Sequence, residues 1–97
     1  MNLFYSHAKG KEFALRAVEK IERDLDRLKE EVQIDEQKTE FVAIYNEKMS
    51  LLAIANYNLG SQHEFLEEFP DAIARYELAL NIVSLSDDAS PLASEFQ

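Results

Sequence analysis

Few residues of this sequence have the types and spacing that chemistry requires. His63 and Glu67 are four residues apart, a spacing at which two side chains of one helix can share a metal ion. Glu67 lies at a predicted turn, however, and the sequence indicates no third ligand, so we expect no metal. Glu67 and Glu68 do not form a catalytic acid pair either, because adjacent residues of a helix point in different directions.

The familiar catalytic patterns are also missing from the 97 residues. The sequence contains no cysteine, no glycine-rich phosphate loop and no serine nucleophile motif. We therefore expect a protein that is not an enzyme, with no catalytic residue and no cofactor.

Apolar residues at helical spacing dominate the middle of the chain, where two consecutive helices are predicted. Members of the first series are Leu52, Ala55, Asn56, Leu59 and His63. Members of the second series are Ala72, Ile73, Tyr76, Ala79, Leu80 and Val83. Pro70 separates them, and proline is tolerated in the first turn of a helix because its missing N–H would be unbonded there. The pattern predicts two helices joined by a tight turn.

This predicted hairpin resembles a tetratricopeptide repeat, a helix–turn–helix unit of about 34 residues. The resemblance covers residues 53–86. The residues that match the family pattern are Leu59, Gly60, His63, Phe69, Ala72, Tyr76 and Ala79. The sequence departs from the pattern at Asn56, where a large aromatic is common, at Glu67, where the turn usually has glycine, and at Ser84, where a proline is common.

The resemblance implies a packing role for Leu59, Gly60, His63, Ala72, Tyr76 and Ala79, and a function in protein–protein interaction. A lone repeat leaves one helical face without a neighbour, and such apolar patches mark partner sites. The candidate partner contacts are Tyr57, Phe65, Phe69, Tyr76 and Leu80. Residues 53–80 also resemble repeats of large protist and ciliary proteins. This further resemblance implies a small adaptor, or a structural subunit of a larger assembly such as an axoneme.

The N-terminal third of the chain has a seven-residue apolar repeat, which predicts a helix from Glu12 to Val32 with a coiled-coil-like seam. The seam residues are Ala14, Val18, Ile21, Leu25, Leu28 and Val32. We expect the seam to pack against the chain's own next helix, predicted from Glu36 to Leu66 with Asp35 as its N-cap. The alternative is a self-associating scaffold that forms a homodimer through the Ala14–Val32 seam.

These elements predict an all-α fold with three main helices, in which a long antiparallel pair continues into the hairpin. The predicted organisation is a lead-in at residues 1–11, one helical domain at 12–85 and a flexible tail at 87–97. We expect the apolar start of the lead-in to dock on the rest of the chain or on a partner.

Charge and hydropathy limit the partners. The chain has 19 acidic and 10 basic residues, a net charge of −9. This excess disfavours nucleic acid and anionic membranes. It either favours a protein partner with a basic surface or serves solubility alone. The sequence shows neither a membrane-spanning run nor a secretory signal pattern. We therefore expect a cytoplasmic protein, with a cytoskeletal or ciliary location implied by the resemblance.

Overall fold

Three α-helices make up the part of the chain that the structure, a computed structural model, describes. It describes the backbone of residues 3–34 and 39–89 and the side chains of 5–31 and 40–85. Helix α1 is Leu3–Ile34, α2 is Thr39–Phe65 and α3 is Phe69–Ala89, and these ranges contain no strand. Helix α2 lies in the middle and packs against both others. The all-α fold with three main helices is confirmed.

Helix α1 begins at Leu3, nine residues before its predicted start, so residues 3–11 are helix and not a separate lead-in. The prediction failed because Gly10 disfavours a helix interior by about 1 kcal/mol relative to alanine. Tertiary contacts accompany the extra turns. His7 donates a hydrogen bond to Gln62 of α2 at 2.8 Å, and Lys11 forms an ion pair with Glu68 at 3.1 Å.

The other helix ends are close to the predictions. Helix α2 starts at Thr39 and ends at Phe65, and the predicted N-cap Asp35 lies outside the described residues. Helix α3 continues to Ala89, so residues 87–89 are helical, and the rest of the predicted tail lies outside the described residues. No helix within the described ranges combines the length and hydrophobicity that crossing a bilayer requires.

The predicted seam of α1 packs against α2, which confirms the internal packing. Val18 and Leu25 are buried, and Ala14 and Ile21 pack against the same cluster. The members of the cluster that α2 provides are Leu52, Ala53, Ala55 and Leu59, with Tyr45 and Met49 at its edge. Burial of each large aliphatic side chain stabilises this interface by about 1.5–3 kcal/mol.

Helices α2 and α3 are in close contact at Gly60. A Cβ atom at this position would lie 2.8 Å from the ring of Tyr76 and 3.3 Å from the backbone oxygen of Ala72. Only glycine therefore leaves the Tyr76 ring where it is. Leu59, Ala72 and Ala79 are also buried.

The turn between α2 and α3 is a left-handed helix cap. Glu67 has a φ of 62°, a conformation that most residues avoid. The amide of Glu68 donates to the carbonyl of His63 at 2.8 Å, and that of Glu67 donates to Glu64 at 3.0 Å. This double closure is the Schellman arrangement, usually made with glycine. Pro70 lies in the first turn of α3, as predicted.

Candidate functional site

An apolar groove lies between α2 and α3 and has a volume of about 630 Å³. We call it the outer groove. Its lining residues are Ala53, Ile54, Tyr57, Glu64, Tyr76, Ala79, Leu80 and Val83. Buried alanines leave space inside it, and the large side chains beside them are half-buried or exposed. The groove is therefore an apolar surface that the described chain leaves uncovered.

The aromatic wall of the outer groove is held in place by polar contacts. The rings of Tyr57 and Tyr76 are 5.3 Å apart and tilted by 47°. The Tyr76 hydroxyl donates a hydrogen bond to Glu64 at 2.7 Å and lies 3.3 Å from the Ser61 hydroxyl. The hydrogen bond to the Glu64 carboxylate raises the pKa of Tyr76, so the phenol stays protonated. Glu64 thus places a carboxylate in a mainly apolar groove.

Three of the five candidate partner contacts meet in the outer groove, namely Tyr57, Tyr76 and Leu80. The other two lie elsewhere. Phe65 stacks on His7 of α1 with ring centroids 4.2 Å apart, and Phe69 is exposed at the start of α3. The sequence pattern did not separate these groups, because the partner of Phe65 is on a helix far away in the chain.

His63 lies at the α2–α3 turn in what we call the turn cluster, with Glu68 and Lys11. Its Nδ1 donates to Glu68 at 2.9 Å, and the Lys11 ammonium contacts both Glu68 oxygens at 3.1 and 3.2 Å. The hydrogen bond from His63, followed by that from Lys11, lowers the pKa of Glu68 below its ordinary 4.5. The cluster ties α1 to the turn. Glu68, not Glu67, is the acid that meets His63.

Together with Asp71, two residues of the turn cluster have the composition of a metal site. His63, Glu68 and Asp71 each bring one potential ligand atom, and these atoms lie within 4.8 Å of one another. The Lys11 ammonium already contacts both oxygens of Glu68, so a cation bound there would face a positive charge. The geometry therefore favours an ion-paired structural cluster.

Sequence reasoning did not anticipate the role of Asn56. Its side chain is 2% exposed, its amide donates to the Leu52 carbonyl at 3.0 Å, and its oxygen accepts from Arg75 at 3.1 Å. A buried amide needs such partners. The departure from the repeat pattern at this position was the available signal, because a polar residue in an apolar series calls for a polar partner.

A second hollow, which we call the inner cleft, is lined by residues of all three helices and has a volume of about 570 Å³. Its lining residues are Lys11, Glu12, Leu15, Leu59, His63, Asp71, Ala74, Arg75 and Leu78. Lys11, His63 and Arg75 each have a hydrogen-bond partner within the chain. The polar groups of this cleft are mostly used to hold the three helices together.

The seam proposed for a homodimer is already packed against α2 of the same chain. Val18 and Leu25 are buried against α2, and Leu28 is half-buried. Val32, its last member, has a side chain outside the described residues. A dimer through this seam would have to displace α2, so the geometry gives the scaffold alternative no support.

Comparisons with known proteins add no family. A scan of the sequence against family models finds no match, and searches of curated proteins and of solved structures find none either. The resemblance to a tetratricopeptide repeat stays a prediction based on the residues quoted for it.

Proposed function

We propose that this protein is a non-catalytic, tetratricopeptide-like interaction module that binds another protein in the outer groove. In this proposal it acts as an adaptor or structural subunit of a larger assembly. The observation that supports it most is the groove itself, about 630 Å³ in volume and lined mainly by apolar side chains of α2 and α3. A partner that covers apolar surface of this kind removes it from water, and this burial favours binding.

The exposure of the groove side chains supports the same function. Leu80 is 69% exposed, and Ile54 and Tyr57 are more than half exposed, although each is large and apolar. Scattered exposed apolar residues are ordinary, but these three lie together around one concave surface. The ciliary or axonemal setting is supported by the sequence resemblance alone.

A quantitative pull-down with a matched pair of variants tests this function. Leu80→Asp places a charge in the outer groove, and Phe13→Asp makes the same kind of change on α1, where Phe13 is 63% exposed. With the full chain as bait in extract of the cells that make it, we expect Leu80→Asp to lose at least one protein that wild type retains. Phe13→Asp should retain it.

Circular dichroism must first show that both variants are as helical as wild type. If the folded Leu80→Asp protein recovers the same set of proteins as wild type and Phe13→Asp, the outer groove is not a binding site and the proposal fails.

A further inference from the structure

The shape of the outer groove limits what can fill it. Its α2 wall runs from Ala53 to Glu64, which corresponds to roughly 16 Å, or three helical turns, at 1.5 Å per residue. Both walls are helices, whose backbone groups are already bonded within each helix and give an extended peptide no strand edge to join. Recognition must therefore rest on side chains, and an amphipathic helix provides an apolar stripe of this length.

Charge is distributed unevenly between the helices. Residues 3–34 contain seven acidic and seven basic residues, so α1 is neutral overall. Residues 39–89 contain nine acidic residues and only two basic ones. The excess negative charge of the protein thus belongs largely to the two helices that form the outer groove.

The two basic residues of α2 and α3 do not offset this charge at the groove. Lys48 forms an ion pair with Asp24 of α1 at 3.3 Å, and Arg75 donates to Asn56 on the side of the inner cleft. Glu64, in contrast, lines the groove and is exposed, with one hydrogen bond from Tyr76. A carboxylate accepts several hydrogen bonds, so Glu64 keeps capacity for a cation from a partner.

We propose that the occupant of the outer groove is a basic amphipathic helix of a partner protein, about three turns long. Its apolar stripe fills the groove, and lysine or arginine residues on its flank face Glu64 and the acidic surface of α2 and α3. The inference rests on the proposed function and specifies the partner. A second copy of this chain is a poorer occupant, because two surfaces of the same negative charge would meet.

A displayed library of 18-residue helices tests the inference, because selection reveals which flanking charges the groove prefers. Each helix has leucine at positions 4, 8, 11 and 15, and lysine, glutamate, glutamine or serine at every flanking position. The library is selected on the immobilised full chain, and clones that also bind Leu80→Asp are discarded. We expect lysine to be enriched at the flanks of the remaining clones. Their binding should weaken as salt is raised, because salt screens exposed charges.

A charge-matched pair of variants then locates the contact. We expect Glu64→Gln to weaken binding of the selected helix by about two- to fivefold, the range of one exposed ion pair. Glu47→Gln removes the same charge from an exposed site of α2 outside the groove, and it should change binding less. Ile54→Asp, at another exposed groove residue, replaces Leu80→Asp in the selection if the latter does not fold.

Each outcome of the selection decides one question. Groove-dependent helices with neutral or acidic flanks would overturn the basic partner and leave the proposed function standing. If no selected helix depends on Leu80 or Ile54, the helical occupant is overturned, and the pull-down alone then decides the proposed function. Sedimentation of the full chain alone tests whether a second copy fills the groove. A dimer that Leu80→Asp dissociates would show that it does, and would overturn the basic helix of a partner protein.

Discussion

Helix α3 borders two hollows of similar volume and different chemistry. The outer groove, about 630 Å³, is lined by alanines, aliphatic residues, two tyrosines and one acid, Glu64. The inner cleft, about 570 Å³, contains Lys11, His63 and Arg75, which bond to partners on the chain. The cleft also has leucine and alanine side chains in its lining, but these three polar groups are satisfied within the chain. An apolar groove is completed only when another surface covers it, so the two hollows have different roles.

The largest difference between the hollows should appear when leucine is truncated in each. Leu59 lines the inner cleft but is only 1% exposed, and Leu80 lines the outer groove at 69% exposed. We expect Leu59→Ala to lower the free energy of unfolding by about 2–5 kcal/mol, because it leaves a cavity in the core. Leu80→Ala should change it by no more than about 0.5 kcal/mol. Urea unfolding followed by circular dichroism measures both, and equal losses would refute the contrast.

The two glycines should respond differently to alanine. A Cβ atom at Gly60 meets the Tyr76 ring and the Ala72 backbone, whereas one at Gly10 meets the end of the flexible Gln62 side chain. Both changes gain about 1 kcal/mol in helix propensity. Overpacking of about 1–3 kcal/mol outweighs this gain at Gly60, so we expect net destabilisation there. Thermal unfolding should show a lower Tm for Gly60→Ala. Gly10→Ala should change Tm little, because moving Gln62 gives up its hydrogen bond with His7 and offsets the gain in propensity.

The turn that joins the two walls of the outer groove should become more stable with glycine. Glu67 has a φ of 62°, which costs residues with a Cβ about 1 kcal/mol. We expect Glu67→Gly to raise the free energy of unfolding by about 0.5–1 kcal/mol. Glu67→Ala removes the same charge but retains the Cβ, so it is the control and should give no such gain. An equal gain from alanine would mean that charge, and not backbone strain, is responsible.

The smallest expected effect is on the pH dependence of stability. The pKa of Glu68 is lowered in the folded protein by His63 and Lys11, so the unfolded chain takes up a proton at higher pH than the folded chain does. Its contribution is therefore complete above the ordinary value of 4.5 and is lost as pH falls through the lowered pKa. We expect stability to fall less steeply with acid, between about pH 5 and 3, in Glu68→Gln than in wild type.

A second carboxyl group with a lowered pKa limits how much acid sensitivity the Glu68→Gln protein can lose. Lys20, and then Lys48, lower the pKa of Asp24, which still contributes to acid sensitivity in the Glu68→Gln protein. Glu19→Gln removes a charge from an exposed site on α1, away from the turn cluster and from the lysine partners of Asp24, and serves as the control. A Glu68→Gln profile parallel to that of wild type would contradict the role of the turn cluster.

The sequence by itself determined the number of helices and which side of α1 is buried. Apolar spacing is a local property, so it predicted the buried Val18 and Leu25, and Pro70 marked the start of α3. The resemblance assigned packing roles to Gly60 and Tyr76, and the structure adds that the Tyr76 ring lies directly against Gly60.

Only the tertiary structure decided which side chains meet between helices and where the hollows lie. Phe65 stacks on His7, Glu68 meets Lys11, and Asn56 meets Arg75. Each of these partners lies on another helix or across the turn, so the pairing depends on how far each helix is rotated about its axis. The outer groove arises in the same way, from alanines of two helices that face each other only after packing. Periodicity within one helix cannot specify that relation between two.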